Sequence, residues 1–112
     1  MTAIVEFTAR GSARAVASAI ESYAAERRRV TALVVPWESD AATLRMAVTS
    51  TKSDGWAIEH TNLGTVSLAD LGGERTRVVV VAEEAGPERA DLADDQRAML
   101  VAFARQIEKK FQ

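Results

Sequence analysis

His60 is the only histidine in this chain of 112 residues, and it is the side chain best suited to acid–base catalysis. An imidazole exchanges its proton near neutral pH, so it can act as a general base or orient a ligand. The alternating pattern around it predicts that His60 faces inward beside Trp56 and Ile58. The sequence places no second histidine and no evident carboxylate where it would orient the ring. A solvated or backbone-bonded histidine at a strand end is therefore the favoured interpretation, and catalysis by His60 is the alternative.

No other catalytic motif supports an enzyme. The segment "DLGGE", residues 70–74, lacks the spacing of a phosphate-binding loop and stands between two predicted strands instead of before a helix. The sequence contains no GxSxG motif, no HExxH motif and no evident pair of catalytic carboxylates. It also contains no cysteine, which excludes disulfides, thiolate catalysis and sulfur-bound metals. We therefore expect neither a cofactor nor a metal, and the motifs leave enzyme activity without positive support.

Arginines form one dense basic cluster at residues 27–29, and Arg10 and Arg14 are expected nearby. Such a cluster can hold an anion or a phosphate-bearing partner. The ordinary interpretation is that positive charge at the end of a helix offsets the helix dipole and aids solubility. The whole chain carries a formal net charge of −2, so we do not expect a general nucleic-acid-binding protein.

The composition is that of one ordinary globular domain, which we assign to residues 1–112. Hydrophobic residues make up 47% and charged residues 27% of the chain. The stretch "MTAIVEFTAR" does not resemble a signal peptide, and no apolar run approaches the ~20 residues that cross a bilayer. We therefore expect a cytoplasmic protein without membrane insertion.

The chemistry-bearing residues are distributed over predicted strands and two predicted helices. Strand-like alternation or β-branched composition marks six segments, which are residues 3–8, 30–37, 43–50, 56–61, 65–71 and 75–84. The segment "NLG", residues 62–64, is interpreted as a break between two of them. A first helix follows the capping residue Ser12 and ends near residues 27–29. A second helix of roughly 35 Å is predicted from about Glu88, with acidic residues near its start and Lys109 and Lys110 at its end.

The order of elements predicts an α+β fold. We expect an antiparallel sheet of about six strands, in the order β-α-β-β-β-β-β-α, with the long C-terminal helix packed across one face. The other face carries charged and polar residues and is expected to be mostly hydrated. Val79 and Val81 also lie on that outer face.

The hairpin "VSLADLGGERTRVVV" and the final helix "MLVAFARQIEKKF", together with the element order, resemble the START-like, or Bet v 1-like (SRPBCC), helix-grip superfamily. The chain resembles a reduced member, close to the TBP-like β-α-β-meander-α plan. The resemblance implies that a hydrophobic small molecule binds between the sheet and the C-terminal helix, and some members are cyclases or hydrolases. Here "AAERRRVTALVV" passes almost directly from helix to strand, so we expect a shallower grip and a smaller cavity.

This resemblance and the predicted inward faces together select the candidate pocket residues. They are Tyr23, Leu44, Met46, Trp56, His60, Val80, Met99, Phe103 and Ile107. Each has an alternative role as a core side chain, because a small domain uses most of its aromatic residues for packing. The competing function is a structural or protein-interaction domain without a ligand. Such a domain could be a homodimer that joins through Val79, Val81 and the apolar stretch "ALVVPW", residues 32–37.

Overall fold

A computed structural model of the chain describes residues 3–27, 29–40, 42–83 and 94–111. Its elements are β1 (Ala3–Arg10), α1 (Ala13–Glu26), β2 (Val30–Val34), a short 3-10 turn (Pro36–Glu38), β3 (Thr43–Asp54), β4 (Ala57–Gly72), β5 (Arg75–Ala82) and α2 (Asp94–Lys110). The five strands form one sheet in the order β1-β5-β4-β3-β2, and every neighbouring pair is antiparallel. The predicted α+β class, with an antiparallel sheet and a C-terminal helix, is confirmed.

The described sheet has five strands because residues 62–64 do not end a strand. Val48 pairs with Gly64 and Thr49 pairs with Asn62, so Leu63 is one extra residue on β4. This arrangement is a β-bulge, which bends a strand without ending it. The two segments predicted on either side of "NLG" are therefore one continuous strand of 16 residues.

Helix α1 forms as its sequence predicts. Ser12 has an extended backbone and its Oγ accepts a hydrogen bond from the Ala15 N–H at 3.2 Å, which caps the first turn. Val16, Ile20 and Ala24 recur at helical spacing and are buried against the sheet. Helix α1 packs mainly along β2, the strand that follows it.

Helix α2 packs on the same face of the sheet, over β1, β4 and β5. Phe103 and Ile107, which the sequence predicts to face inward, are fully buried together with Leu100. Acidic residues occupy its first turn and lysines its last, which suits the helix dipole. The predicted start near Glu88 lies outside the described residues.

One cluster of buried side chains joins both helices to the inner face of the sheet. Met46, Val66, Val78 and Val80 supply it from the central strands, and Phe103 is its largest fully buried member. The outer face is more exposed, as predicted, and Glu6 forms an ion pair there with Arg77. A bilayer-spanning helix is not found within the described ranges.

Candidate ligand-binding groove

A groove of about 440 Å³ lies where the end of α1 meets the first half of α2. The described residues that line it are Arg27, Arg29, Val30 and Met99. It is open to solvent, and it lies on the helix-bearing side of the sheet. Its volume falls within the range of roughly 300–1,000 Å³ that small-molecule sites occupy.

Backbone hydrogen bonds fix the arginine side of the groove. The Arg27 N–H donates to the Ala24 carbonyl, and the Val30 N–H donates to the Arg27 carbonyl at 3.3 Å, so the chain turns tightly from α1 into β2. The Arg29 carbonyl then accepts a hydrogen bond from the Thr51 N–H at 2.9 Å. This bond extends the pairing of β2 with β3 by one residue and holds Arg29 beside the sheet edge.

Tyr23 connects the arginine side of the groove to α2. Its ring stacks on Phe103 with 5.8 Å between the ring centroids. Its hydroxyl oxygen accepts a hydrogen bond from Nη1 of Arg27 at 2.8 Å. The Lys110 ammonium group lies 5.0 Å from the centre of the same ring, which is within the range of a cation–π contact. Tyr23 therefore orients the Arg27 side chain and joins the two helices.

The side of the groove formed by α2 is attached to the sheet through polar contacts. The Gln96 amide donates to Oγ1 of Thr61 at 3.4 Å, which joins the first turn of the described helix to β4. Ser50 is buried and pairs with both Val30 and Thr61 in the sheet. Hydroxyl groups thus lie on the inner face of the sheet next to the apolar residue Val30.

The groove has a positive rim and an apolar interior. Val30 is buried and Met99 is half-buried, whereas both arginines are exposed. Within the described part of the chain, no carboxylate forms an ion pair with Arg27 or Arg29. Two like charges on one side of an apolar depression favour a ligand that has an apolar part and can lie beside positive charge.

The structure distributes the predicted pocket residues over the groove, the core and its edge, and the outer face of the sheet. Met99 lines the groove, Tyr23 adjoins it, and Leu44 is half-buried at the edge of the core. The core itself contains four others with no exposed surface, namely Met46, Val80, Phe103 and Ile107. These four pack against their neighbours as core side chains do, so the groove lies beside them and is not bounded by them.

The predicted inward orientation of Trp56, Ile58 and His60 is wrong. Trp56 is completely exposed, the Ile58 side chain is 65% exposed, and His60 is also exposed. The cause is the bulge at Leu63. Its one extra residue shifts the alternation of side chains, so the residues before it point to the opposite face from the one that the pattern predicts. His60 consequently pairs with Thr51 on the outer face, where Nδ1 lies 3.4 Å from the Thr51 hydroxyl.

The basic residues near the start of α1 do not join the groove. Arg14 lies in the first turn and Arg27 at the C-terminal end, which places them roughly 20 Å apart along the helix axis. Arg10 ends β1, at the opposite edge of the sheet from β2. Among the described residues, no group of three or more His, Cys, Asp or Glu side chains lies close enough to hold a metal ion.

Sequence reasoning missed two features of this region. One is the bulge, although a glycine within an alternating pattern, here Gly64, is a known signal for it. The other is the proximity of Met99 to Arg27 and Arg29, which depends on how two helices lie on the sheet. No local sequence signal reports that distance.

Comparison of the chain with protein-family models, with curated proteins and with solved structures finds no match.

Proposed function

We propose that this chain binds a hydrophobic small molecule in the groove formed by Arg27, Arg29, Val30 and Met99. The observation that carries the proposal is the groove itself, which is about 440 Å³ in volume and has an apolar interior between a helix and the sheet. Small-molecule sites combine an apolar lining with a few oriented polar groups. Met99 suits such a wall because its unbranched side chain adapts to ligands of different shape.

We also propose that the chain is a reduced member of the START-like helix-grip superfamily. The element order supports it, as does the position of α2 across the sheet. Only residues 27–29 separate α1 from β2, which is consistent with a shallow groove at the surface in place of a deep cavity. The chain acts in this proposal as a binding module, because His60 lies on the outer face, away from the groove.

The experiment is a titration with N-phenyl-1-naphthylamine, a neutral apolar dye that fluoresces when it leaves water. The intrinsic tryptophans are unsuitable reporters, since Trp37 and Trp56 are both largely exposed. We expect saturable fluorescence with the native chain and a loss of at least tenfold in affinity for Met99→Trp, which fills the groove. The control is Ala102→Trp, which adds the same ring on the exposed side of α2.

The two variants separate a site from nonspecific adsorption. Equal dye binding by the native chain, Met99→Trp and Ala102→Trp would contradict the groove as the site. Absence of saturable binding to the folded native chain would contradict the ligand-binding function as a whole. Circular dichroism of each variant shows that the fold is retained.

A specific observation also favours a second candidate function, a homodimer joined through the outer face of the sheet. One row of paired positions crosses all five strands without a charge, and it consists of Ala3, Val81, Thr65, Ala47 and Leu33. The adjacent row of paired positions on the same face begins with Glu6 on β1 and ends with Arg45 on β3. A second copy turned about an axis parallel to the strands would place Glu6 of each copy near Arg45 of the other.

Light scattering after size-exclusion chromatography tests this second candidate. A dimer has twice the 12.1 kDa mass of one chain. Leu33→Lys should convert it to a monomer, because Leu33 is 57% exposed and lies in the uncharged row. Leu71→Lys is the control, since Leu71 is 49% exposed near the turn between β4 and β5. A native chain that is monomeric at high concentration would contradict the dimer.

A further inference from the structure

We infer that the ligand of the groove is an apolar carboxylate, with its charged end held by Arg27 and Arg29. This inference rests on the proposed function and adds the chemical class of the ligand. Both guanidinium groups belong to residues that line the groove, and no described carboxylate neutralises either of them. An anionic ligand would interact favourably with this positive rim.

The orientation of Arg27 supports a specific contact. Its Nη1 donates to the Tyr23 hydroxyl, and its guanidinium carbon lies 5.7 Å from the centre of the Tyr23 ring. A guanidinium group has five N–H donors, so this contact leaves donors available for the two oxygens of a carboxylate. Because Tyr23 is itself held by Phe103, part of the entropy cost of ordering Arg27 is met before a ligand arrives.

The apolar end of the ligand has a separate place to lie. Val30 lies at the start of β2 and is 4% exposed, and Met99 faces the groove from α2. A chain or ring that runs from the arginines toward α2 would cover the exposed part of Met99 and remove that apolar surface from water, whereas Val30 is already buried and adds little. The groove therefore distinguishes the two ends of an amphipathic molecule.

The position of the groove at the end of α1 favours a carboxylate over a phosphate. Phosphate groups are commonly bound at the N-terminus of a helix, where backbone N–H groups and the positive end of the dipole meet them. Here the arginines lie at the C-terminal end of α1, where the dipole contributes partial negative charge. A singly charged carboxylate is repelled less at this position than a phosphate with up to two charges.

The experiment compares decanoate, 1-decanol and decyl phosphate as competitors of the bound naphthylamine dye, all below their micelle concentrations. We expect decanoate to displace the dye about tenfold more effectively than decanol, because two guanidinium groups can hydrogen-bond its carboxylate; tenfold corresponds to about 1.4 kcal/mol. Decyl phosphate should bind no more tightly than decanoate. The preference for decanoate should fall at high salt, since the arginines are exposed.

The Arg27→Gln/Arg29→Gln variant assigns the preference to these two side chains. It should lose about tenfold in affinity for decanoate and keep its affinity for decanol. Arg105→Gln is the control, because it removes one positive charge from the exposed surface of α2. Thermal unfolding of each variant checks that the fold is intact.

The possible results separate the proposed ligand-binding function from the narrower proposal that the ligand is an apolar carboxylate. Equal displacement by decanoate and decanol, with dye binding still sensitive to Met99→Trp, would overturn the carboxylate and leave the proposed function standing. Tighter binding of decyl phosphate than of decanoate would likewise overturn the assignment. A decanoate preference that survives in the double arginine variant would show that other residues hold the charge. Absence of saturable dye binding to the native chain would overturn both claims.

Discussion

The ring of Tyr23 on α1 stacks against the ring of Phe103 on α2, with 5.8 Å between their centroids and 28° between their planes. Tyr23 is half-buried, whereas Phe103 has no exposed surface. This contact joins the two helices next to the groove. It therefore links the stability of the domain to the geometry of the proposed site.

The first prediction concerns this aromatic pair. Tyr23→Ala and Phe103→Leu should each destabilise the protein, and the double variant should lose less than the sum of the two. The coupling should be about 0.5–1.5 kcal/mol, the range expected of a stacked pair. Chemical denaturation of the four proteins in the cycle measures it. Strictly additive effects would contradict a direct contact between the rings.

The second prediction concerns Gly64, the residue that follows the bulge. A Cβ at this position would collide with the carbonyl oxygen of Val81 on β5, which is backbone and cannot turn aside. We expect Gly64→Ala to cost about 3 kcal/mol or more in the free energy of unfolding. Gly55→Ala is the control, because nothing lies within 4 Å of its added Cβ and only its positive φ of 60° opposes the change. That control should cost about 1–2 kcal/mol, and an equal loss in the two variants would contradict the close approach of β4 and β5.

The bulge also shows what the sequence could not predict. Alternation correctly predicts that Met46 and Val80 lie on the inner face, because hydrophobic residues at every second position indicate which side is buried. The same alternation predicts the wrong face for residues 56–60, which precede Leu63. Apolar residues at 56 and 58 continue the even-numbered pattern, although the extra residue has moved those positions to the outer face.

The helices were more predictable than the groove between them. Ser12, the apolar stripe of α1 and the buried residues of α2 follow from interactions within a few residues of one another. The groove instead depends on the distance between Arg27 and Met99, which are 72 positions apart in the sequence. That distance is set by how both helices pack on the sheet, and one sequence contains no direct signal for it.

The third prediction follows from the exposure of Trp56 and His60, which lie before and within the start of β4. Trp56→Ala and His60→Ala should each change the free energy of unfolding by less than about 0.5 kcal/mol, because both side chains are exposed. Phe103→Ala, a core truncation, should cost about 3–5 kcal/mol. Denaturant unfolding compares the three variants. A loss of several kcal/mol for Trp56→Ala would contradict its exposed position and restore the inward orientation that the alternation predicted.

The fourth prediction concerns Thr76, a polar side chain of β5 with no exposed surface. Its hydroxyl donates to the carbonyl oxygen of Gly11 at 2.8 Å and so connects β5 to the turn between β1 and α1. Thr76→Val keeps the shape of the side chain but leaves the partly buried Gly11 carbonyl without this donor, which should cost about 1–3 kcal/mol.

Thr76→Ser is the matched variant, because it keeps the donor and removes one methyl group. A buried methyl group is worth about 1 kcal/mol, so the two losses overlap in size and a second measurement is needed. Amide exchange of Ala15 and Val16, at the start of α1, provides it. Exchange there should accelerate more in Thr76→Val than in Thr76→Ser, since only the valine breaks the connection to the turn that precedes the helix. Equal acceleration would mean that Thr76 contributes by packing alone, and the hydrogen bond to Gly11 would then have no separate role in holding α1 on the sheet.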